Sequence, residues 1–224
     1  MKSPKAKMWI KVVITFVLMG FALFLSAGTF KYWQAWIFLL AVGTSSGLLT
    51  LSMTKDPTLL ENRSKFGPAA EKRPIQKIIV LCALTPVIAL YVVPAFDRRF
   101  GWSNMPAWLA VAGDFLMLAG MWMVSRVFKA NSFGSATVEI TNDQKVISTG
   151  PYAIVRNPMY ASAVVYLAGA SLALGSYWGP VAAGLATLGL VWRLFDEEKF
   201  LAQNLPGYTE YCSKVRWHLV PGIF

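Results

Sequence analysis

Residues 8–27 read MWIKVVITFVLMGFALFLSA, an apolar run long enough to cross a lipid bilayer as one α-helix. Its single charged side chain is Lys11, whose long stem can reach the head groups from one turn inside the helix. Lys2, Lys5 and Lys7 precede the run and give it the look of a signal peptide. The apolar core is long, however, and five further runs follow, so we interpret it as a retained membrane helix.

The composition of the whole chain is that of a membrane protein. Of its 224 residues, 56% are hydrophobic and 14% are charged, whereas a soluble domain carries about 25% charged residues. Six apolar runs are predicted to span the membrane, at residues 8–27, 33–53, 75–94, 105–128, 158–175 and 177–195. The predicted fold class is an all-α integral membrane protein with about six transmembrane helices, the last two forming a C-terminal helical hairpin.

Lysines and arginines are distributed unevenly between the two sides of this predicted bundle. Of the 21 basic residues, 18 fall on one side, and Lys31, Arg98 and Arg99 fall on the other. Because positively charged loops stay in the cytoplasm, both termini are predicted to be cytoplasmic, in the cell inner membrane if the protein is bacterial. The net charge of +10 is then explained by cationic loops next to membrane lipids, and nucleic acid is not expected as a partner.

Several kinds of chemistry are improbable on residue counts alone. Cys82 and Cys212 are too few and too far apart for a disulfide framework or a zinc site. His218 is the one histidine of the chain, so neither a metal centre nor serine–histidine catalysis is expected.

The polar residues divide the chain into two parts. Residues 1–130 contain the first four runs and are interpreted as a transmembrane scaffold, whose loop at 54–74 is expected to lie along the surface as broken helix. Polar residues that look placed for chemistry begin after Phe128 and resume after Trp192. We therefore predict that residues 131–224 carry the function.

The fifth predicted helix begins in a polar motif. A turn signal at Thr149-Gly150-Pro151-Tyr152 precedes Arg156-Asn157-Pro158-Met159-Tyr160. Pro158 suits the first helical position, and the side-chain oxygen of Asn157 is expected to cap the helix. The unpaired amide groups there, together with Arg156, would hold an anion such as a carboxylate. The alternative is an ordinary capped helix with Arg156 at the lipid head groups.

A second polar cluster ends the sixth predicted helix. The connection between the last two runs is so short that the end of the sixth helix must return to the start of the fifth. This brings Arg193, Asp196, Glu197 and Glu198 to the same rim as Arg156. Arg193 and Glu197 are four residues apart and share a helix face, so both could line one pocket. The alternative is a cluster of snorkelling charges that ends a helix.

Together these motifs resemble the C-terminal signature of the isoprenylcysteine carboxyl methyltransferase family. The matching elements are Gly150-Pro151-Tyr152, Arg156-Asn157-Pro158-Met159-Tyr160, Glu197-Glu198, Tyr208-Thr209-Glu210-Tyr211, Val215 and Pro221. Their order and spacing match over residues 144–224. The family consists of integral-membrane methyltransferases that use S-adenosylmethionine, and the wider group includes phospholipid N-methyltransferases.

The resemblance implies a cytoplasmic pocket for S-adenosylmethionine and assigns its residues. The cofactor-binding positions are Gln144, Lys145, Val146, Ile147, Tyr152, Asn157, Pro158, Met159, Tyr160 and Glu197. Arg193 matches the arginine that faces the substrate, and Arg156 is the second candidate catalytic residue. Asn157 and Gln144 depart from the pattern, since the prenylcysteine enzymes usually have histidines there. No metal is needed for methyl transfer from a sulfonium.

The predicted function is methyl transfer from S-adenosylmethionine to a lipophilic or lipid-linked acceptor, such as the carboxylate of a prenylcysteine. The acceptor is expected to enter sideways from the bilayer, and the cofactor from the cytoplasm. One alternative is a membrane reductase, because sterol reductases have a similar C-terminal arrangement but bind NADPH. The other is a non-catalytic membrane protein for assembly or transport that has kept the fold.

Overall fold

A computed structural model describes residues 4–64, 67–139 and 144–224. Lys2 and Lys65, two of the basic residues counted above, lie outside the described residues. The helices are α1 (Pro4–Ala27), α2 (Trp33–Met53), α3 (Pro57–Ser64), α4 (Pro74–Phe100), α5 (Ala107–Ala130), α6 (Pro158–Ala173), α7 (Gly179–Asn204) and α8 (Tyr208–Lys214), with a 3₁₀ turn at Gly150–Ala153. The described part of the chain contains helices and no strand, which confirms the all-α prediction there.

Four helices, α1, α2, α4 and α5, are long and apolar enough to cross a membrane. Their outer surfaces carry exposed large apolar side chains such as Phe21, Leu40 and Phe115, as helices that face lipid tails require. The fifth predicted run forms α6, an apolar helix of 16 residues. The sixth forms α7, which continues through a charged segment to Asn204. Four of the six predicted spans are thus supported by length and hydropathy, and the last two stay predictions.

Helix α6 lies at the centre of the bundle. Every one of its residues is buried or half-buried, and it packs along α5 and against α7. Glycines allow the close approach of α5 and α6. A Cβ added to Gly120 would lie 2.6 Å from the backbone nitrogen of Tyr166, and one added to Gly169 would lie 2.7 Å from the Cα of Met117. Small residues that let backbones approach are a general means of helix association in membranes.

The segment 54–74 contains the predicted surface helix as α3, and it packs against the segment that follows α5. Ser132 donates a hydrogen bond to the Asp56 carboxylate, and the Asn62 side-chain amide donates to the carbonyl of Ser132 at 3.3 Å. The Ser132 bond lowers the pKa of Asp56 below its usual value, so the carboxylate stays ionised at neutral pH. These bonds bring part of the predicted scaffold to the polar end of α6 and α7.

Candidate functional site

A cavity of about 470 Å³ opens where α4, α6 and α7 meet two polar segments, the described parts of residues 54–74 and of residues 131–157. One half of its lining is apolar and comes from the three helices: Ile79, Val80, Ala83, Leu84, Val87, Ala163, Gly189 and Leu190. The other half carries the polar side chains of the lining. It includes all twelve residues that the sequence predicts for the site: Gln144, Lys145, Val146, Ile147, Tyr152, Arg156, Asn157, Pro158, Met159, Tyr160, Arg193 and Glu197.

Tyr160 and Glu197 form the link between α6 and α7 at the polar half of the cavity. The Tyr160 hydroxyl donates a hydrogen bond to Oε2 of Glu197. Desolvation raises the pKa of the Glu197 carboxyl above its usual value, although the bond from Tyr160 and the charge of Arg193 pull it down. The carboxyl is therefore held in one orientation while its charge lacks full compensation, so a hydrogen-bond donor or cation in the cavity would be attracted to it.

Arg193 lies one turn before Glu197 on α7, as the spacing predicts, and is paired across the site. Its Nη2 donates to Oε1 of Glu71 at 2.6 Å and to the carbonyl of Ala136 at 2.9 Å. Glu71 is 3% exposed, and its second oxygen accepts a hydrogen bond from the Val138 amide at 3.2 Å. Arg193 thus joins α7 to both polar segments, and much of its charge is balanced by Glu71, which the sequence motifs do not predict as a site residue.

Asn157 stands at the N-cap position of α6 with Pro158 at the first helical position, but its side chain does not cap the helix. The predicted cap is therefore wrong in this respect. Its Nδ2 instead donates to Oε1 of Glu198 at 2.5 Å. A bond to a carboxylate is about twice as strong as one between neutral groups, so the side chain turns to α7. The Asn157 backbone amide donates to the carbonyl of His218 at 3.1 Å.

Arg156 lines the cavity, but its guanidinium is held by the C-terminal tail. Its Nε lies 3.5 Å from Oε1 of Glu198, and its Nη2 lies 2.6 Å from Nε2 of His218 and 3.3 Å from the carbonyl of Arg216. Nδ1 of His218 lies 3.0 Å from the same Glu198 oxygen. Glu198 thus gathers Arg156, Asn157 and His218, and the paired glutamates divide their contacts: Glu197 lines the cavity, while Glu198 binds the tail to α6.

We expect Glu198→Ala to lower the thermal stability while Glu210→Ala does not. Glu198 is largely buried beside Arg156, and its removal leaves buried donors without an acceptor, at a cost of roughly 2 kcal/mol. Glu210 pairs with Lys214 at 2.8 Å in an exposed pair, the kind of pair that contributes little to stability. Melting curves of the purified protein in detergent test this contrast, and equal melting temperatures for the two variants would contradict it.

Three tyrosines close the site on the side of α8. The Tyr211 hydroxyl donates to the carbonyl of Tyr152 at 2.8 Å, and the Tyr152 hydroxyl accepts from the Asn131 side chain at 3.0 Å. Burial raises the pKa of Tyr152, Tyr208 and Tyr211. All three phenols therefore stay protonated at neutral pH and act as hydrogen-bonding and packing groups.

Several lining residues were not predicted, namely Arg63, Asn131, Thr137, Glu139 and Tyr208, with Glu71 directly behind Arg193. Arg63 belongs to the predicted scaffold, and the other four lining residues lie in the predicted functional part, where the resemblance assigned them no role. One signal could have found Arg63 and Glu71, namely the mixture of charges in residues 54–74 of an otherwise apolar chain. Among the described residues, no group of three or more His, Cys, Asp and Glu side chains is placed to hold a metal ion.

The site combines two chemical environments in one cavity. Its polar half presents two glutamates, several arginines and tyrosine hydroxyls, which suit a charged and hydrogen-bonding ligand. Its apolar half suits an aliphatic ligand. Both halves meet on α7, where Gly189, Arg193 and Glu197 lie at intervals of four residues on one face of the helix. The arrangement can hold a polar and a lipophilic molecule next to each other.

Part of the chain matches a known protein family. The model of the phospholipid methyltransferase family matches residues 108–206, which extend from α5 through α6 and α7. This group of integral-membrane methyltransferases includes the isoprenylcysteine carboxyl methyltransferases, so the predicted resemblance to the group is confirmed, while the narrower isoprenylcysteine assignment stays a prediction. No curated protein matches the chain.

Proposed function

We propose that this chain, whose residues 108–206 match the phospholipid methyltransferase family, transfers a methyl group from S-adenosylmethionine to a lipophilic or lipid-linked acceptor. The observation that carries the proposal is that a polar half and an apolar half belong to one cavity and meet on α7. A membrane methyltransferase must hold a polar cofactor and an apolar acceptor within reach of each other, and this lining supports both.

The polar half fits the cofactor. S-adenosylmethionine is zwitterionic in its amino-acid part and carries ribose hydroxyls, and bound there it supplies an electrophilic methyl group on its sulfonium. Glu197 would accept hydrogen bonds from hydroxyl or amino groups, and Tyr160 would keep its carboxylate oriented. The segment 144–147, Tyr152 and residues 157–160 would form the walls, with Asn157 acting through its bond to Glu198.

The chemistry that remains for the protein is alignment and exclusion of water. Methyl transfer is an in-line displacement that needs the acceptor's lone pair aimed at the methyl carbon in a dry site. An acceptor carboxylate or phosphate is already nucleophilic at neutral pH, whereas an amine or thiol must first lose a proton. Arg193 would orient an anionic acceptor by charge-assisted bonds, and Arg156 would hold the start of α6 in place through its contacts with the tail.

The apolar half supports access of the acceptor from the bilayer. Leu84 lines the cavity and is also exposed on the outer surface of α4, so the cavity reaches the surface that lipid tails would cover. Ala83 and Gly189 bring α4 and α7 close together beside it, because a Cβ on Gly189 would lie 3.2 Å from that of Ala83. A lipid could therefore place its head group at the polar half while its tails stay in the membrane.

The topology that we propose places both termini in the cytoplasm and α6 and α7 in the membrane. A line of exposed apolar side chains along α7 supports it: Val181, Leu185, Leu188, Trp192 and Phe195. We expect reporter fusions to find the N-terminus and the C-terminus on the cytoplasmic side. Termini on opposite sides would contradict an even number of spans. Labelling of a Leu185→Cys variant by water-soluble thiol reagents would contradict the insertion of α7.

Ligand binding by the purified protein tests the function. We expect calorimetry in detergent to find saturable binding of S-adenosylmethionine and its demethylated product, and no binding of NADPH. Methyl-labelled cofactor should then transfer its label to a lipid fraction extracted from cells. Saturable NADPH binding would favour the reductase, and binding of neither cofactor would favour a non-catalytic membrane protein.

A further inference from the structure

Arg63 lines the polar half of the cavity from α3, outside the segment that matches the family. Its guanidinium carbon lies 4.7 Å from the centre of the Phe128 ring. On another side, a Cβ added to Gly134 would lie 3.0 Å from its Nη2, so the absence of a side chain there leaves room for the guanidinium. The side chain is thus packed in place by an aromatic ring and a glycine.

The charge of Arg63 is less well balanced than that of the other arginines in the cavity. Arg156 lies beside Glu198, and Arg193 donates to Glu71. In the described part of the chain, the buried Nε of Arg63 has no hydrogen-bond partner. The same is true of the Nε of Arg156, but Arg156 has Glu198 beside it, whereas no described carboxylate forms an ion pair with Arg63. Glu197 contributes an attractive charge from nearby, but its carboxylate accepts its hydrogen bond from Tyr160.

Burial of this guanidinium carries a cost that a ligand would offset. Desolvation lowers the pKa of Arg63 below its usual value, and the charge of Glu197 together with the nearby Tyr152 and Tyr160 groups only partly opposes this effect. An arginine nevertheless stays charged in a protein. A buried cation with spare donors is stabilised by an anion that approaches from the cavity.

We propose that Arg63 is an anion-binding residue of this cavity, whose guanidinium pairs with the anionic oxygens of a bound ligand. The inference rests on the proposed function, which offers two sources of such oxygens: the α-carboxylate of the cofactor and the phosphate of a lipid acceptor. Arg63 and Glu197 carry opposite charges in one cavity, so together they complement a zwitterion such as the amino-acid part of S-adenosylmethionine. Substrate recognition thereby extends to α3, which the family match does not include.

Two variants and a matched control test this role. Arg63→Met keeps the packing on Phe128 but removes the charge, and Arg63→Lys keeps the charge but removes the planar fork. Arg126→Met is the control, since Arg126 also lies over an aromatic ring of α5, 6.0 Å from the centre of the Trp122 ring, but is exposed and away from the cavity. Melting temperatures close to that of the wild type establish that each variant is folded.

Four ligands distinguish the sources of the anion: S-adenosylmethionine, its decarboxylated form, dioctanoyl phosphatidate and dioctanoyl glycerol. If Arg63 binds the cofactor carboxylate, Arg63→Met should lower the affinity for S-adenosylmethionine by about tenfold, the scale of a hydrogen bond to a charged group. The affinity for the decarboxylated form should not change. If Arg63 binds the acceptor phosphate, Arg63→Met should lose affinity for dioctanoyl phosphatidate and not for dioctanoyl glycerol. The affinity of Arg63→Lys for the same ligand should lie between those of the wild type and Arg63→Met.

Failure of the inference is distinct from failure of the proposed function. Suppose that the wild type binds the cofactor and that Arg63→Met binds both the cofactor and phosphatidate with wild-type affinity. This result overturns only the role of Arg63. Wild-type protein that binds neither cofactor form overturns the methyltransferase proposal, and the phosphatidate measurement then still decides whether Arg63 binds an anion. Absence of binding for all four ligands overturns both.

Discussion

Gly169→Ala should lower the melting temperature strongly, whereas Gly184→Ala should leave it unchanged. A Cβ on Gly169 would meet the backbone of Met117, 2.7 Å from its Cα. Backbone atoms in the middle of a helix cannot move aside as a flexible side chain does, so α5 and α6 would have to separate. Overpacking of this kind costs about 1–3 kcal/mol and occasionally more, out of a total stability of about 5–15 kcal/mol.

The effect should be near the top of this range because the contact is reciprocal. A Cβ on Gly113 of α5 would likewise lie 2.8 Å from the carbonyl oxygen of Gly169, so neither helix has room for an added methyl group at this contact. Gly184 is the matched control, since it lies in α7 with nothing within 4 Å of an added Cβ. Size-exclusion profiles and melting curves in detergent measure the result. A Gly169→Ala protein that melts like the wild type would contradict the close approach of α5 and α6.

Glu197→Ala should weaken S-adenosylmethionine binding by at least tenfold, and Glu198→Ala should affect it less. Removal of one hydrogen bond to a charged group costs about 1.5–3 kcal/mol, and the Glu197 carboxylate lines the cavity while that of Glu198 binds Asn157, Arg156 and His218. Calorimetry on folded protein provides both dissociation constants. Equal affinity for Glu197→Ala and the wild type would remove Glu197 from the cofactor site.

The pH dependence provides a second measurement of the same role. Burial raises the pKa of Glu197, so part of the carboxyl is protonated at mildly acidic pH, and a protonated carboxyl accepts hydrogen bonds less well. The ionised fraction grows as the pH rises through this raised pKa, and cofactor affinity should therefore increase in the same window. Glu197→Gln keeps the shape but does not titrate, so its affinity should be low and should lose this pH dependence.

Much of the fold could be predicted because bilayer crossing is a local requirement. Each of the six apolar runs forms a helix in the structure, and the run at 33–53 coincides with α2. The meeting of Arg193 and Glu197 with Arg156 was predictable for a related reason, since a short connection between two helices forces the end of α7 to return to the start of α6. The segment 144–147 and Tyr152 were assigned only by the family resemblance. Whether α6 and α7 cross the membrane depends on the helices and lipids that surround them. For α6, a helix of 16 residues, hydropathy does not determine this.

The sequence by itself determined which segments are helices and which residues meet at the rim, because apolar length and the reach of a short hairpin are local properties. The tertiary structure decided how the charges pair. Arg193 binds Glu71, which lies 122 positions away in the chain, and Asn157 binds Glu198 instead of capping its own helix. Such partners are selected by distance and desolvation in the assembled bundle, where the buried carboxylate of Glu198 fixes the orientation of the Asn157 side chain and the local cap does not form.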